Sequence, residues 1–392
     1  MRVLVVLTAT LGVIAMTICA SNVIGASQSD TAPSSPSVKA GGLIYVSGTI
    51  GTAGKGDIKG QTKAALDTLS VSLKAAGSSL ENACLVNVYL RNASDFAAMG
   101  EVYTTYFPKN PPARVTVIVD GIADADSLVE ISAIALPIGA ERKILKPAGW
   151  SNSPLPYSYG IQSGNTVFLA GLVSRNSVDN TNVKGDIAAQ TNYIMGNASA
   201  ILKEANMTLN DVAQSRVYIT DTANFAAMNG AYRTAFTDAP PARATVRTGL
   251  TSPDFLVEIA MIAVKDSSRT AINPPDANGK PGRVNPNFSA AIRVGNRLFV
   301  AGMSGETDAN KGNATAQTTE AIARVERTMK AAGFSLSDAV EGMAYVANRT
   351  RFPEVDAAYR DALPKNSSAR TSINVGLMVP AAEGEFSFIA QK

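Results

Sequence analysis

The 392-residue chain contains no histidine. That excludes Ser-His-Asp and Cys-His nucleophile systems, the facial-triad irons and nearly every catalytic zinc site. Chemistry must rest on other groups, and arginine and glutamate recur in a phrase used three times. Pro112-Ala113-Arg114 leads to Val129-Glu130-Ile131, Pro241-Ala242-Arg243 to Val257-Glu258-Ile259, and Ser368-Ala369-Arg370 to Gly384-Glu385-Phe386. From Arg to Glu the separations are 16, 15 and 15 residues, with the turn-rich Thr251-Ser252-Pro253-Asp254 between them in the second copy. This spacing predicts a hairpin that sets each pair on adjacent strands. A guanidinium offers two parallel charge-assisted hydrogen bonds to a planar carboxylate and stays protonated at any working pH, which lysine does not match. A carboxylate beside it can orient a water for attack. Each pair also reads as a plain cross-strand ion pair supporting a hairpin, worth ~0.2–1 kcal/mol.

The elements that must position these residues repeat with a period of about 125 residues. A β-rich run ended by glycine, Ile44-Tyr45-Val46-Ser47-Gly48, recurs as Val167-Phe168-Leu169-Ala170-Gly171 and Leu298-Phe299-Val300-Ala301-Gly302. Glycine there marks a place where a side chain does not fit or the backbone must stay accessible. Helices follow from Gln61-Thr62, Gln190-Thr191 and Gln317-Thr318; in the first, Ala65, Leu69, Leu73 and Ala76 form one apolar stripe. They stop at Gly77, Asn206 and Gly333, residues suited to the left-handed cap. Strands around Tyr89, Tyr218 and Tyr345 come next, then second helices bearing Tyr103, Tyr232 and Tyr359, with Phe96, Phe225 and Phe352 ahead of them. These aromatics read most simply as core. Residues 138–156 and 265–283, rich in Pro and Gly, read as linkers crossing the surface without pairing in a sheet. The resulting organisation is 34–137, 151–265 and 284–392, three domains preceded by residues 1–26.

Residues 1–26 have a basic start, an apolar run from Val3 to Ala20 and small residues before a polar stretch, the pattern of a secretory signal. The expectation is a periplasmic or secreted protein; an uncleaved leader would instead be its membrane anchor. Apolar content of 46% against 17% charge indicates a packed globular chain, and a formal net charge of +3 scattered in mixed sign gives no basis for nucleic-acid binding. Of two cysteines, Cys19 falls in the leader and Cys84 in the apolar run Ala83-Cys84-Leu85-Val86, where it reads as a small core residue without a disulfide partner. No metal and no cofactor are expected.

The ordered set of landmarks resembles the reactive intermediate deaminase family, also called RidA or YjgF and historically endoribonuclease L-PSP. It comprises the Ser-Gly strand end, Gln-Thr helix start, Ala-Ala-Gly stop, Tyr-to-Phe pair, Asp-Phe-Ala-x-Met-Asn, Pro-Ala-Arg and closing Val-Glu-Ile. The similarity covers nearly all of residues 34–392 as three copies. It implies an α+β, chorismate-mutase-like fold with about six mostly antiparallel strands and two helices on one face, and a single-chain pseudo-trimer in place of the family's homotrimer. It also implies hydrolysis of small 2-imino or enamino acids to 2-keto acids and ammonia, with Arg anchoring the substrate carboxylate and Glu orienting the water.

Carried over residue by residue, the second copy is the most complete: Tyr157, Gly171, Asn229, Arg243 and Glu258, with Ala170 in place of serine. The first retains Arg114, Glu130 and Gly48 but has Ser34 for the tyrosine and Gly100 for the asparagine. The third retains Arg370, Glu385 and Gly302, with Phe288 for the tyrosine and Asp356 for the asparagine, and is expected to be weakest because a carboxylate near an anion site opposes the substrate. Recurrence of the Arg–Glu pair in three diverged copies within this context favours a ligand site over a bare ion pair. The alternative is a non-catalytic pseudo-trimer that binds small carboxylates or a partner. A ribonuclease, which follows only from the historical name, lacks the basic stripe and the histidine.

Overall fold

A computed structural model describes residues 34–51, 56–282, 284–364 and 368–392. The expected leader lies outside the described residues. In the first repeat, strands Ser37–Ala40 and Leu43–Ile50 form a hairpin, helix Ile58–Ala75 follows, strand Ala83–Leu90 returns, and helix Phe96–Tyr106 precedes strands Ala113–Ile118 and Val129–Ala135. The other repeats reproduce this order. Each long helix begins at a capping side chain: Asp57 accepts from the backbone N–H groups of Lys59 and Gly60, Asp186 from Ala189, and Asn313 from Ala316. Each ends as expected, with Gly77, Asn206 and Gly333 at φ 82°, 53° and 79°. Ala65, Leu66, Leu69 and Leu73 are buried against the sheet, so one helical face supplies the outer core of the repeat.

The sheet order differs from the predicted hairpin. Strand Ala83–Leu90 lies between the Arg strand and the Glu strand, pairing parallel with Ala113–Ile118 and antiparallel with Val129–Ala135. The parallel pair is joined through helix Phe96–Tyr106, a crossover rather than a tight turn. The second and third repeats share this pattern. Arg and Glu of one repeat are therefore separated by a central strand and are not cross-strand neighbours.

The linkers also depart from expectation. Lys143–Leu145 pairs with Gly160–Ser163 and Thr270–Ile272 with Ala291–Val294, so each connection adds an edge strand to the following sheet. Edge positions tolerate the flanking prolines because only one side of the strand needs its hydrogen bonds. With short segments contributed by neighbouring repeats, the sheets have five, seven and seven strands.

The three repeats close in a ring within one compact unit. Val246 and Arg247 pair with Leu377 and Gly376, Ile373 and Asn374 pair with Ile122 and Gly121, and Ile118 bridges Gly249. At the centre the equivalent tyrosines Tyr89, Tyr218 and Tyr345 are fully buried. Arg216 of the second repeat meets Glu341 of the third there at 2.7 Å. Cys84 is buried and free, and burial pushes its thiol up to about 12, as a core residue requires.

Candidate functional site

Each Arg strand packs on the glycine-ended strand of the next repeat, and this brings the predicted residues together across seams. At the first seam Arg114 of repeat one meets Tyr157, Gly171 and Glu258 of repeat two. At the second, Arg243 faces Phe288 and lies within electrostatic reach of Glu385 of repeat three. At the third, Arg370 of repeat three acts on Glu130 of repeat one. The second copy's apparently complete set is thus split: Tyr157, Gly171 and Glu258 serve the first seam, Arg243 and Asn229 the second.

The glycines are explained by the glutamates of their own repeats. A Cβ at Gly48, Gly171 or Gly302 would overlap the Oε1 of Glu130, Glu258 or Glu385. The register slips at this point in all three strands, between Val46 and Thr49, Leu169 and Leu172, and Val300 and Met303. Such a bulge re-aims side chains beside a site, and here it lets the carboxylate lie across bare backbone. At the first seam Glu258 Oε1 also accepts the backbone N–H of Thr116 at 3.2 Å, from the opposing Arg strand.

Position is further fixed by the glutamine of each Gln-Thr pair. Gln61, Gln190 and Gln317 accept from the backbone N–H groups of Leu128, Leu256 and Glu383 at 2.7, 2.8 and 2.8 Å. Each of those donors stands two residues before the glutamate. The helix therefore pins the entry to the Glu strand.

Both charged partners are removed from water. Arg114, Arg243 and Arg370 are 5, 3 and 7% exposed, and Glu130, Glu258 and Glu385 are 6, 4 and 9% exposed. Burial pushes all three carboxyls up to about 8, against the pull of the facing arginines. Burial likewise lowers Arg114 and Arg243, with no prospect of deprotonation near neutrality. A carboxyl poised near pH 8 can exchange a proton with substrate or water.

The aromatics assigned to the core carry the arginines. Tyr103, Tyr232 and Tyr359 lie 4.9, 4.8 and 4.2 Å from the guanidinium carbons of Arg114, Arg243 and Arg370. Phe96 and Phe225 lie at 5.8 and 5.9 Å from the first two, within cation–π range. The signal was a fixed offset: in every copy Tyr stands eleven and Phe eighteen residues before Arg.

The seams differ in what already holds the guanidinium. Arg370 is paired with Asp356 at 2.5 Å, Arg243 donates to the neutral Asn229 at 2.6 Å, and Arg114 has Gly100 at that position. Among the described residues Arg114 has no hydrogen-bond or ion-pair partner, and its buried Nη1 is unsatisfied. It lines a cleft of about 40 Å³ with Glu258, Tyr157, Gly171 and a residue not anticipated from the sequence, Arg175. No group of metal-binding side chains occurs among the described residues, and no helix there is long and apolar enough to cross a membrane.

The family described as Endoribonuclease L-PSP matches residues 26–137, 151–265 and 281–392. A RutC family protein of Sulfurisphaera tokodaii is 39% identical over 123 residues, covering 31% of this chain and 94% of its own. The 3-aminoacrylate deaminase RutC of Acinetobacter baylyi is 32% identical over 122 residues, 31% of this chain and 97% of its own. Each relative corresponds to one repeat. A chorismatase crystal structure superposes with a TM-score of 0.51 at 13% identity, over 79% of this chain and 93% of that one, which is a likeness of fold.

Proposed function

Because this chain belongs to the Endoribonuclease L-PSP family in three tandem copies, we propose that it hydrolyses small 2-imino or enamino acids to 2-keto acids and ammonia, chiefly at the seam between the first and second repeats. The observation that carries this is Arg114: a buried guanidinium without a hydrogen-bond or ion-pair partner, facing Glu258 in a small cleft. An uncompensated buried charge is costly, and a planar carboxylate compensates it with two parallel hydrogen bonds. The resemblance to a 3-aminoacrylate deaminase supports the reaction class.

With the carboxylate on Arg114, the C=N carbon is presented to a water held by Glu258. The water oxygen adds to carbon, the C=N electron pair moves to nitrogen, and the proton leaving water passes to Glu258. Glu258 returns it to nitrogen, which gives a carbinolamine; Glu258 then takes the hydroxyl proton and passes it to nitrogen, so that the C–N bond breaks, C=O forms and ammonia departs. One water is consumed and one ammonia released, with no change of oxidation state. Bare backbone at Gly171 leaves room for the glutamate to lie against the substrate, and Tyr157 closes the cleft.

The test generates iminopyruvate in situ and follows its loss. Wild type accelerates the loss over buffer, and Arg114→Ala lowers kcat/KM by at least about tenfold. Equal rates for the two proteins remove the reading. The Asp356-paired Arg370 favours a second, non-catalytic reading for the third seam alone: there the arginine supports the ring.

A further inference from the structure

Arg175 stands four residues after Gly171 and lines the same cleft as Arg114 and Glu258. Its backbone is fixed: the carbonyl accepts from Asn197 Nδ2 at 3.1 Å and the residue bridges Asn182 across the loop. Its guanidinium carbon lies 5.5 Å from the buried Phe255 ring. Its Nε is buried without a hydrogen-bond partner, and no carboxylate among the described residues pairs with it. The cleft thus holds two guanidiniums against a single lining carboxylate, Glu258. A substrate with one carboxylate would leave the partly buried Arg175 without a counter-charge in the cleft.

The second seam is built with the opposite sign. Four residues after Gly302 stands Glu306, whose buried Oε2 has no partner, and Glu306 adds to the upward push that burial gives Glu385. A second negative group on a substrate would be repelled there.

We propose that Arg175 is a specificity-determining residue of the first seam, which takes small 2-imino acids bearing a second carboxylate, one acid group on Arg114 and the other on Arg175. This rests on the deaminase reading for the reaction, though not for the binding.

The experiment measures binding and turnover separately in the full chain. Calorimetry compares oxaloacetate, as the stable keto diacid, with pyruvate; hydrolysis compares iminosuccinate with iminopyruvate, both generated in situ. Arg175→Met lowers the diacid-over-monoacid ratio by about tenfold in both measurements, the scale of one charge-assisted contact, and Arg175→Lys restores part of it. Thermal melting of both variants separates this from a folding defect, and the lysine form keeps the charge if the methionine form folds poorly. Equal affinity of wild type for diacid and monoacid, or an equal loss of both in Arg175→Met, overturns the assignment. Arg175-dependent diacid binding without acceleration of either imine overturns the deaminase reading alone.

Discussion

Asp356 takes the Arg370 guanidinium at 2.5 Å, with both side chains nearly inaccessible, and so occupies from within the position a substrate carboxylate would need. The equivalent Asn229 leaves Arg243 its full charge. Asp356→Asn should retain a hydrogen bond while freeing the charge, adding one bound small carboxylate per chain in calorimetry. It should also cost about 1–3 kcal/mol of stability, since an ionic hydrogen bond becomes a neutral one. An unchanged stoichiometry would mean that the third seam lacks room for an anion whatever its charge.

Gly171 lies beneath Glu258 with no space for a Cβ. Gly171→Ala should therefore destabilise by about 1–3 kcal/mol and displace the carboxylate from Arg114, so that activity falls with the glutamate's. Gly48→Ala, beneath Glu130, should carry a similar thermal cost with a smaller effect on turnover. Chemical denaturation and initial rates on both variants check the pair. Equal activity losses would contradict the primacy of the first seam.

The raised glutamates fix the sign of the pH dependence. Each carboxyl moves from an ordinary 4.5 to about 8 on folding, so between those values the folded chain binds more protons than the unfolded one. Their contribution is fully present below about pH 4.5 and is lost as pH rises through about 8. Glu258→Gln should then gain stability relative to wild type from pH 5 to pH 9 in parallel melts. In turnover, ionised Glu258 is the form that accepts water's proton. The rate should climb towards pH 8 and level above it, and Glu258→Gln should lose that limb. A wild-type profile flat across this range would rule out Glu258 as the base.

The repeat architecture was readable because its landmarks are local: the capping glycines and asparagine, the β-rich runs ended by glycine, the stripe at Ala65, Leu69 and Leu73. The partners of each site were not. A separation of 15 or 16 residues fits a hairpin, but it fits equally a Glu strand docked on the far side of the Tyr strand, and only sheet order distinguishes them. Likewise Arg114 and Glu258 belong to different repeats, and their meeting is a property of ring closure. The linkers misled for a related reason, since short runs such as Ile144-Leu145 hide between prolines yet suffice for an edge. Arg175 carried no repeat signal, because the third copy places Glu306 there.

The ring itself is tied by a buried ion pair. Arg216 and Glu341 meet at 2.7 Å among Tyr89, Tyr218 and Tyr345, while the first and third repeats place Asn87 and Met343 where the second has Arg216. One cation and one anion on different repeats distinguish the three faces, a device that would hold their order. Removing one partner leaves the other charge buried, so Glu341→Ala should destabilise by about 3–5 kcal/mol. Arg216→Met with Glu341→Leu should recover most of that loss, because a packed apolar pair of similar volume replaces the charges without a desolvation cost. Denaturant midpoints for the single and double variants measure the coupling. A double variant no more stable than Glu341→Ala would mean that the pair supplies net stability beyond the mutual neutralisation of its charges.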